Sequence, residues 1–216
     1  MTGDPTLERG WAAPEVADEF PELGLVTAEV VAAGGGRTSP GVRERLRQLS
    51  NRFTGARAVT LRQEPVPWAY RVFFRQVGID PDERRTPIEQ IAIDRLTHGG
   101  FKPAGRVQDA VLIATLETAV PVLAFDAGQV DGAVGLRLTR KGEKLGGQGR
   151  SLGGSQIVIA DGSRALAVLF GDTAEGVSPT RNTERILLVA VRVKGVPALS
   201  VEEALWSAAE LLQEGA

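Results

Sequence analysis

Residues able to do acid–base or nucleophilic chemistry are scarce in this chain of 216 residues, and the scarcity narrows its function. There is one histidine, His98, and no cysteine. A thiolate nucleophile, a disulfide and a thiolate metal site are therefore excluded. A histidine-rich metal site is excluded within one chain, and a Ser-His-Asp triad would have to be built on His98. His98 stands in Leu96-Thr97-His98-Gly99-Gly100, which reads as the end of a helix. An imidazole in the last turn before glycine favours the helix dipole and the free carbonyls. The expectation is a structural His98, with no metal ion and no cofactor.

Two glycine-rich stretches invite a phosphate-binding reading. Gly142 to Gly154 fails it, because no Gly-Lys-Ser/Thr opens a helix there and strands are expected on both sides. Gly147-Gln148-Gly149 does not follow a first strand in the dinucleotide pattern either. A mobile loop over a pocket is expected. Gly34-Gly35-Gly36 reads as a turn before a helix, whose amides could meet an anion. Thr180 to Glu184 reads as a polar connection before a strand.

The net charge is −2, which argues mildly against a dedicated nucleic-acid binder. Its distribution is uneven. Acids dominate before Arg37, at Asp4, Glu8, Glu15, Asp18, Glu19, Glu22 and Glu29. From Arg37 to Arg62 the sign flips, and Arg37, Arg43, Arg45, Arg47, Arg52, Arg57 and Arg62 face only Glu44. A smaller basic run holds Arg137, Arg140, Lys141, Lys144 and Arg150. Such patches engage a phosphate backbone or are ordinary solvated faces. Arg43, Arg47 and Arg52 are the candidates for RNA contact; no binding to DNA is expected. No apolar run approaches a membrane span, and Met1 to Pro14 lacks the basic start and apolar core of a signal peptide. The expected location is the cytoplasm, with no membrane partner.

The elements that must position these residues follow from periodicity and capping. Leu23 to Ala32 predicts a first strand. Ser39-Pro40 opens a helix whose Val42, Leu46, Leu49 and Phe53 form one apolar stripe, leaving the arginines toward water. Pro67 to Val77 predicts an aromatic-rich helix ending at Gly78. Thr86-Pro87-Ile88-Glu89 is a capping box for a helix ending at Gly99-Gly100. Val107 to Thr118 is apolar nearly all round and predicts a buried helix. After Pro121 come short strands: Val122–Phe125, Val134–Thr139, Gln156–Ala160, Arg164–Phe170 and Ile186–Val193. Asp161-Gly162 marks a hairpin. A last helix is expected from Ser200, with Glu203 completing a capping box. Helices first and strands later predict α+β, with helices on a mixed sheet and Val111, Ile113, Leu138, Ile159, Leu188 and Val191 in one core.

One collinear series carries a family resemblance. Asp109, Pro121, Ala124-Phe125-Asp126 and Val130 to Gly132 are followed by Leu136-Arg137-Leu138 with Lys141-Gly142-Glu143. Then come Val158-Ile159-Ala160-Asp161-Gly162 and Thr183 to Val189, with Phe73 to Asp82 upstream. In this order the series resembles the B3/B4 domain of the phenylalanyl-tRNA synthetase β chain and its free-standing relatives. The likeness runs from Pro67 to Glu214. Leu123 stands where the synthetase has a histidine, and Leu169 to Ala174 replaces a Trp-Asn-Trp-Arg-type segment of the free-standing members. Polar groups of an editing pocket are thus partly missing.

The resemblance implies a B3/B4-like core over residues 67–216, with residues 1–66 adding a strand and an Arg-rich helix to the same fold. It implies a tRNA- or aminoacyl-tRNA-associated protein that edits misacylated tRNA in trans. Ester hydrolysis at a tRNA end needs a positioned water and donors around the carbonyl, not a strong nucleophile. On this reading Asp126 is a polar anchor for substrate, Thr183 lies at the pocket edge, and Glu143 and Glu175 are the candidates to position water. Two alternatives stand beside it. One is a non-catalytic module binding an amino acid or similar ligand in a vestigial editing pocket. The other is an interaction protein.

Overall fold

The computed structural model describes residues 5–32 and 36–214. Asp4, Gly34 and Gly35 lie outside them, so the expected glycine turn before the first long helix is described only at Gly36. The chain begins with β1 (Leu7–Arg9), β2 (Trp11–Ala12), α1 (Pro14–Glu19) and β3 (Gly24–Val31). Five helices follow: α2 (Pro40–Arg52), α3 (Gly55–Leu61), α4 (Pro65–Gln76), α5 (Pro87–His98) and α6 (Arg106–Thr118). The last part holds β4 (Val122–Asp126), β5 (Gly135–Leu138), β6 (Ile157–Ala160), β7 (Ala165–Val168), β8 (Arg185–Arg192) and α7 (Ala198–Gln213).

The fold is α+β, as the pattern predicts, but the strands form two sheets instead of one. The first has the order β1-β3-β8-β4 and is antiparallel throughout. The second has the order β2-β5-β6-β7 and is mixed, because β2 pairs with β5 in parallel. Helix α7 packs on β3 and β8, α6 on β4, and β3 meets β5 of the second sheet. Strand β8 is buried along nearly its whole length, as a strand covered on both faces must be. The chain passes from one sheet to the other at Gly10. A side chain there would put its Cβ 2.7 Å from the Val134 carbonyl oxygen, so only glycine permits the crossing.

Local signals placed the main helices. Ser39 caps α2 by accepting from the Val42 amide at 3.2 Å. Val42, Leu46, Leu49 and Phe53 are buried, and Arg43, Arg47 and Arg52 are exposed. In α5 the Thr86–Glu89 capping box is formed and Gly99 ends the helix in a left-handed conformation. His98 is exposed, with Nδ1 2.8 Å from the Asp94 carbonyl oxygen, as a helix-end residue should be. Helix α6 is buried at Val107, Ala110, Ile113, Ala114 and Leu116. The six expected core residues share one apolar cluster, with Val111 and Leu138 at its margin.

Two expectations change. Helix α7 begins at Ala198 after Pro197, so Ser200 lies inside its first turn and caps nothing. Proline at 197 fixes an extended entry and starts the helix earlier than the serine signal suggested. The glycine-rich loop is pinned: Leu145 and Leu152 are buried, Lys144 bridges Ser151, and a short 3-10 turn spans Leu145–Gly147.

Candidate functional site

A buried ion pair sets the geometry of a cleft beside the start of β4. Arg71 of α4 is 4% exposed and donates from Nη1 to Glu89 Oε1 at 2.6 Å. Its Nη2 donates to Asp82 Oδ1 at 2.5 Å. The other Glu89 oxygen accepts from the Thr86 hydroxyl and amide. The turn between α4 and α5 is thereby clamped at both ends, and Arg84 closes it by donating its amide to the Asp80 carbonyl. This turn presents Glu83, Arg84 and Arg85.

Opposite the turn stand the start of β4 and the connection after β7. Strand β4 is an edge of the first sheet, which leaves Pro121, Val122 and Leu123 as a wall. After β7, Phe170 takes a left-handed conformation with φ 54°. Gly171 follows, where an added Cβ would stand 3.1 Å from the Val168 side chain and 3.3 Å from Arg84 Nη2. Arg84 Nη2 donates to the Phe170 carbonyl at 2.9 Å and joins the two walls. Together with Gln90 and Ile91 these residues enclose a cleft of about 610 Å³. It combines an apolar wall at Val122, Leu123 and Phe170 with two guanidinium groups and the carboxylates of Glu83 and Asp172. Asp172 is engaged, accepting from Arg150 Nε at 2.8 Å. Such a site can hold an anionic or carbonyl group on its arginines while an apolar body lies against Leu123.

The residues singled out from sequence lie elsewhere. Asp126 and Thr183 are brought together, with the Thr183 hydroxyl donating to Asp126 Oδ2 at 2.6 Å. Asp126 Oδ1 accepts from the Gly128 amide at 2.9 Å, so both oxygens hold the chain's own loops. Thr183 is 3% exposed, and neither residue lines the cleft. Glu175 is exposed on the connection after β7, also outside the cleft. Glu143 is bidentate on Arg137, at 2.5 and 2.8 Å, and accepts from the Arg140 amide at 2.8 Å. On α2, Arg43 Nε donates to the Thr38 carbonyl at 3.0 Å and Arg47 pairs with Glu44. Arg52 has no ion pair among the described residues.

The Arg137 guanidinium, with the Arg140 amide, holds the Glu143 carboxyl below its ordinary value of 4.5, against the opposing effect of burial. A depressed carboxyl stabilises the fold fully above its unfolded pKa, and that contribution disappears as pH falls through the native value. Glu143→Gln is therefore expected to lose about 2 kcal/mol at neutral pH, with the deficit against the parent protein shrinking in acid. Urea midpoints of both proteins across that range measure it, and a deficit independent of pH would contradict the ion-pair account.

Residues 69–216 match the family model of the B3/4 domain. The chain belongs to the B3/4 domain family. Both walls of the cleft lie inside the matched span. Among curated proteins the chain is similar to the phenylalanine–tRNA ligase beta subunits of Vibrio vulnificus (34% identity over 100 residues), Cutibacterium acnes (35% over 107) and Aquifex aeolicus (36% over 99). These alignments cover 44–47% of this chain and 12% of each subunit, so the B3/4 protein spans a small part of the relatives it matches. No helix among the described residues is long and apolar enough to cross a membrane.

Within this B3/4 protein the sequence pointed to Leu123 and Phe170 only as departures from the family pattern. Glu83, Arg84 and Arg85 were not singled out, because in sequence they are three charges in a polar turn.

Proposed function

We propose that this B3/4 protein receives the aminoacylated acceptor end of tRNA in the Leu123 cleft and hydrolyses the ester of misacylated tRNA in trans. The observation that carries the reading is the convergence, inside the B3/4 match, of Pro121–Leu123 and Phe170–Asp172 on one cleft bearing Arg84 and Arg85. An aminoacyl ester is already activated, so hydrolysis asks for a held water and donors at the carbonyl oxygen. The arginines are the donors. Glu83 is the carboxylate with access to the cleft, and it positions the water in place of Glu143 or Glu175. Asp126 and Thr183 serve as an anchor for the loop after β4.

The test follows deacylation of mischarged and correctly charged tRNAs against a control without protein. The protein should accelerate loss of at least one mischarged species, and Leu123→Trp, which fills the cleft, should return the rate to the control. No acceleration with any mischarged tRNA would end the hydrolytic reading. A second reading is favoured by the apolar Leu123 and the engagement of Asp172: the cleft binds an amino-acid-like group without chemistry. It predicts saturable binding of a non-hydrolysable aminoacyl-adenosine analogue with no turnover.

In either reading the exposed arginines Arg43, Arg47 and Arg52 of α2 are proposed to contact the tRNA backbone. Affinity should then fall as salt rises, through counterion release, and reversing all three to glutamate should cost roughly tenfold or more. Filter-binding at two ionic strengths decides this; an unchanged affinity in the triple variant would assign these arginines to solvent alone.

A further inference from the structure

A second cleft lies on the other side of Phe170; it shares Arg84 and Phe170 with the Leu123 cleft, and the rest of its lining is unused by the reading above. It has a volume of about 620 Å³ and lies between α1, the end of α4, and strands β6 and β7. A volume of this size suits a small-molecule ligand. Phe20, Phe73 and Phe170 line it, with Leu138 and Val168. The rings of Phe20 and Phe73 meet edge-on at 5.5 Å, and those of Phe73 and Phe170 at 6.0 Å. Phe20 and Phe170 are only half-buried, so aromatic surface stays open to the cleft.

Backbone strain is concentrated at the same place. Among the described residues, Ala119, Ser155 and Phe170 are the residues other than glycine with left-handed φ. Ala119 is accounted for as the C-cap of α6. Ser155, φ 57°, and Phe170, φ 54°, cap no helix and both line this cleft. Sparsely populated backbone conformations are held where a fold shapes a ligand site.

The charges at the cleft choose the ligand. Arg84 lines it, with Nη2 fixed on the Phe170 carbonyl at 2.9 Å. Arg84 has no acidic partner among the described residues. A fixed guanidinium with donors to spare is suited to a carboxylate. Glu19 lines the same cleft and repels a second negative charge. We propose that this cleft binds a small aromatic monocarboxylate, its ring among Phe20, Phe73 and Phe170 and its carboxylate on Arg84.

The test titrates the whole protein with phenylacetate, phenylacetamide and phenylethylamine, read by calorimetry and by ligand-observed NMR. Phenylacetate should bind saturably, and the amide and amine about tenfold more weakly or worse. Arg84→Gln should bring phenylacetate down to the level of the amide. Val77→Trp, which fills this cleft from a half-buried position, should abolish binding, whereas Leu123→Trp, in the other cleft, should leave it intact. Arg84 is exposed, so its variant decides the matter even if Val77→Trp fails to fold. Equal binding of the three probes, no binding of phenylacetate, or loss of binding in Leu123→Trp alone would overturn the proposal. The last result would assign the ligand to the Leu123 cleft, whereas failure of deacylation leaves this proposal untouched.

Discussion

Arg71→Met is expected to remove about 3–5 kcal/mol of folding stability, because it strands a buried carboxylate. Glu89 is 8% exposed and gives one oxygen to Arg71 and the other to Thr86. Without the guanidinium that first oxygen loses its partner in a medium too dry to replace it. Asp82 behaves differently: its side chain is 58% exposed, so water takes over from Arg71 at little cost. The loss therefore belongs almost wholly to Glu89, and Arg71→Met with Glu89→Met should recover only part of it, because the fully buried Thr86 then loses the acceptor for its amide and hydroxyl. Part of that recovery comes from Arg71 Nε, which has no hydrogen-bond partner among the described residues even with Arg71 in place. Urea unfolding of the parent, the two single variants and the double variant gives the coupling directly. A loss below about 1 kcal/mol for Arg71→Met would mean that water reaches Glu89, as it does at an exposed pair. The consequence for function is local. The turn carrying Glu83, Arg84 and Arg85 is held by this pair, so both clefts should loosen in Arg71→Met.

The second large effect is expected at Asp109, which is fully buried in α6. It accepts from the Thr38 hydroxyl, from the Ala104 amide at 2.9 Å and from the Gly105 amide at 3.3 Å. Asp109→Ala removes the acceptor for three donors, and a loss of about 3 kcal/mol is expected. Asp109→Asn keeps one acceptor oxygen and should lose less. Thr38 precedes the cap of α2 and lies outside the B3/4 match, whereas Asp109 lies inside it. We therefore propose that residues 1–66 fold as one unit with residues 67–216, held partly through this side chain. Far-ultraviolet circular dichroism and tryptophan fluorescence should report a single, shifted urea transition in Asp109→Ala. Two separated transitions, with the helices before residue 67 melting first, would show that the N-terminal part is an independent appendage.

Helix α2 was legible in the sequence because its information is local: a serine cap, a proline in the first turn and apolar residues one turn apart. The same holds for α5, whose capping box and terminal glycine bracket it, and for the helix-end position of His98. Where a local signal competed with another, the outcome was less secure, as at Ser200, where Pro197 had already started α7. The collinear series from Asp109 to Val189 pointed to the B3/4 family and to an α+β fold, since side-chain chemistry at fixed order survives without knowledge of contacts.

Pairings between distant segments were decided by the tertiary structure. Strand β2 is two residues long and exists because Trp11 and Ala12 lie beside Gly135 and Leu136. No periodicity can be read from two residues, so the second sheet's parallel edge was invisible. The Asp126–Thr183 bond spans 57 residues, and Asp126's conspicuous place in the motif did not reveal that its oxygens face the chain's own loops. The Leu123 cleft needs the turn before α5, the edge of β4 and the connection after β7 at once, and Arg84 and Phe170 meet across 86 residues. Sequence by itself determined which segments become helices, which positions are buried and which family the chain resembles, because propensity, capping and hydrophobic period act within a few residues. Which element ends face one another, and so which side chains share a cleft, was decided only when the sheets and helices packed, because that choice is made by the burial of whole faces against each other.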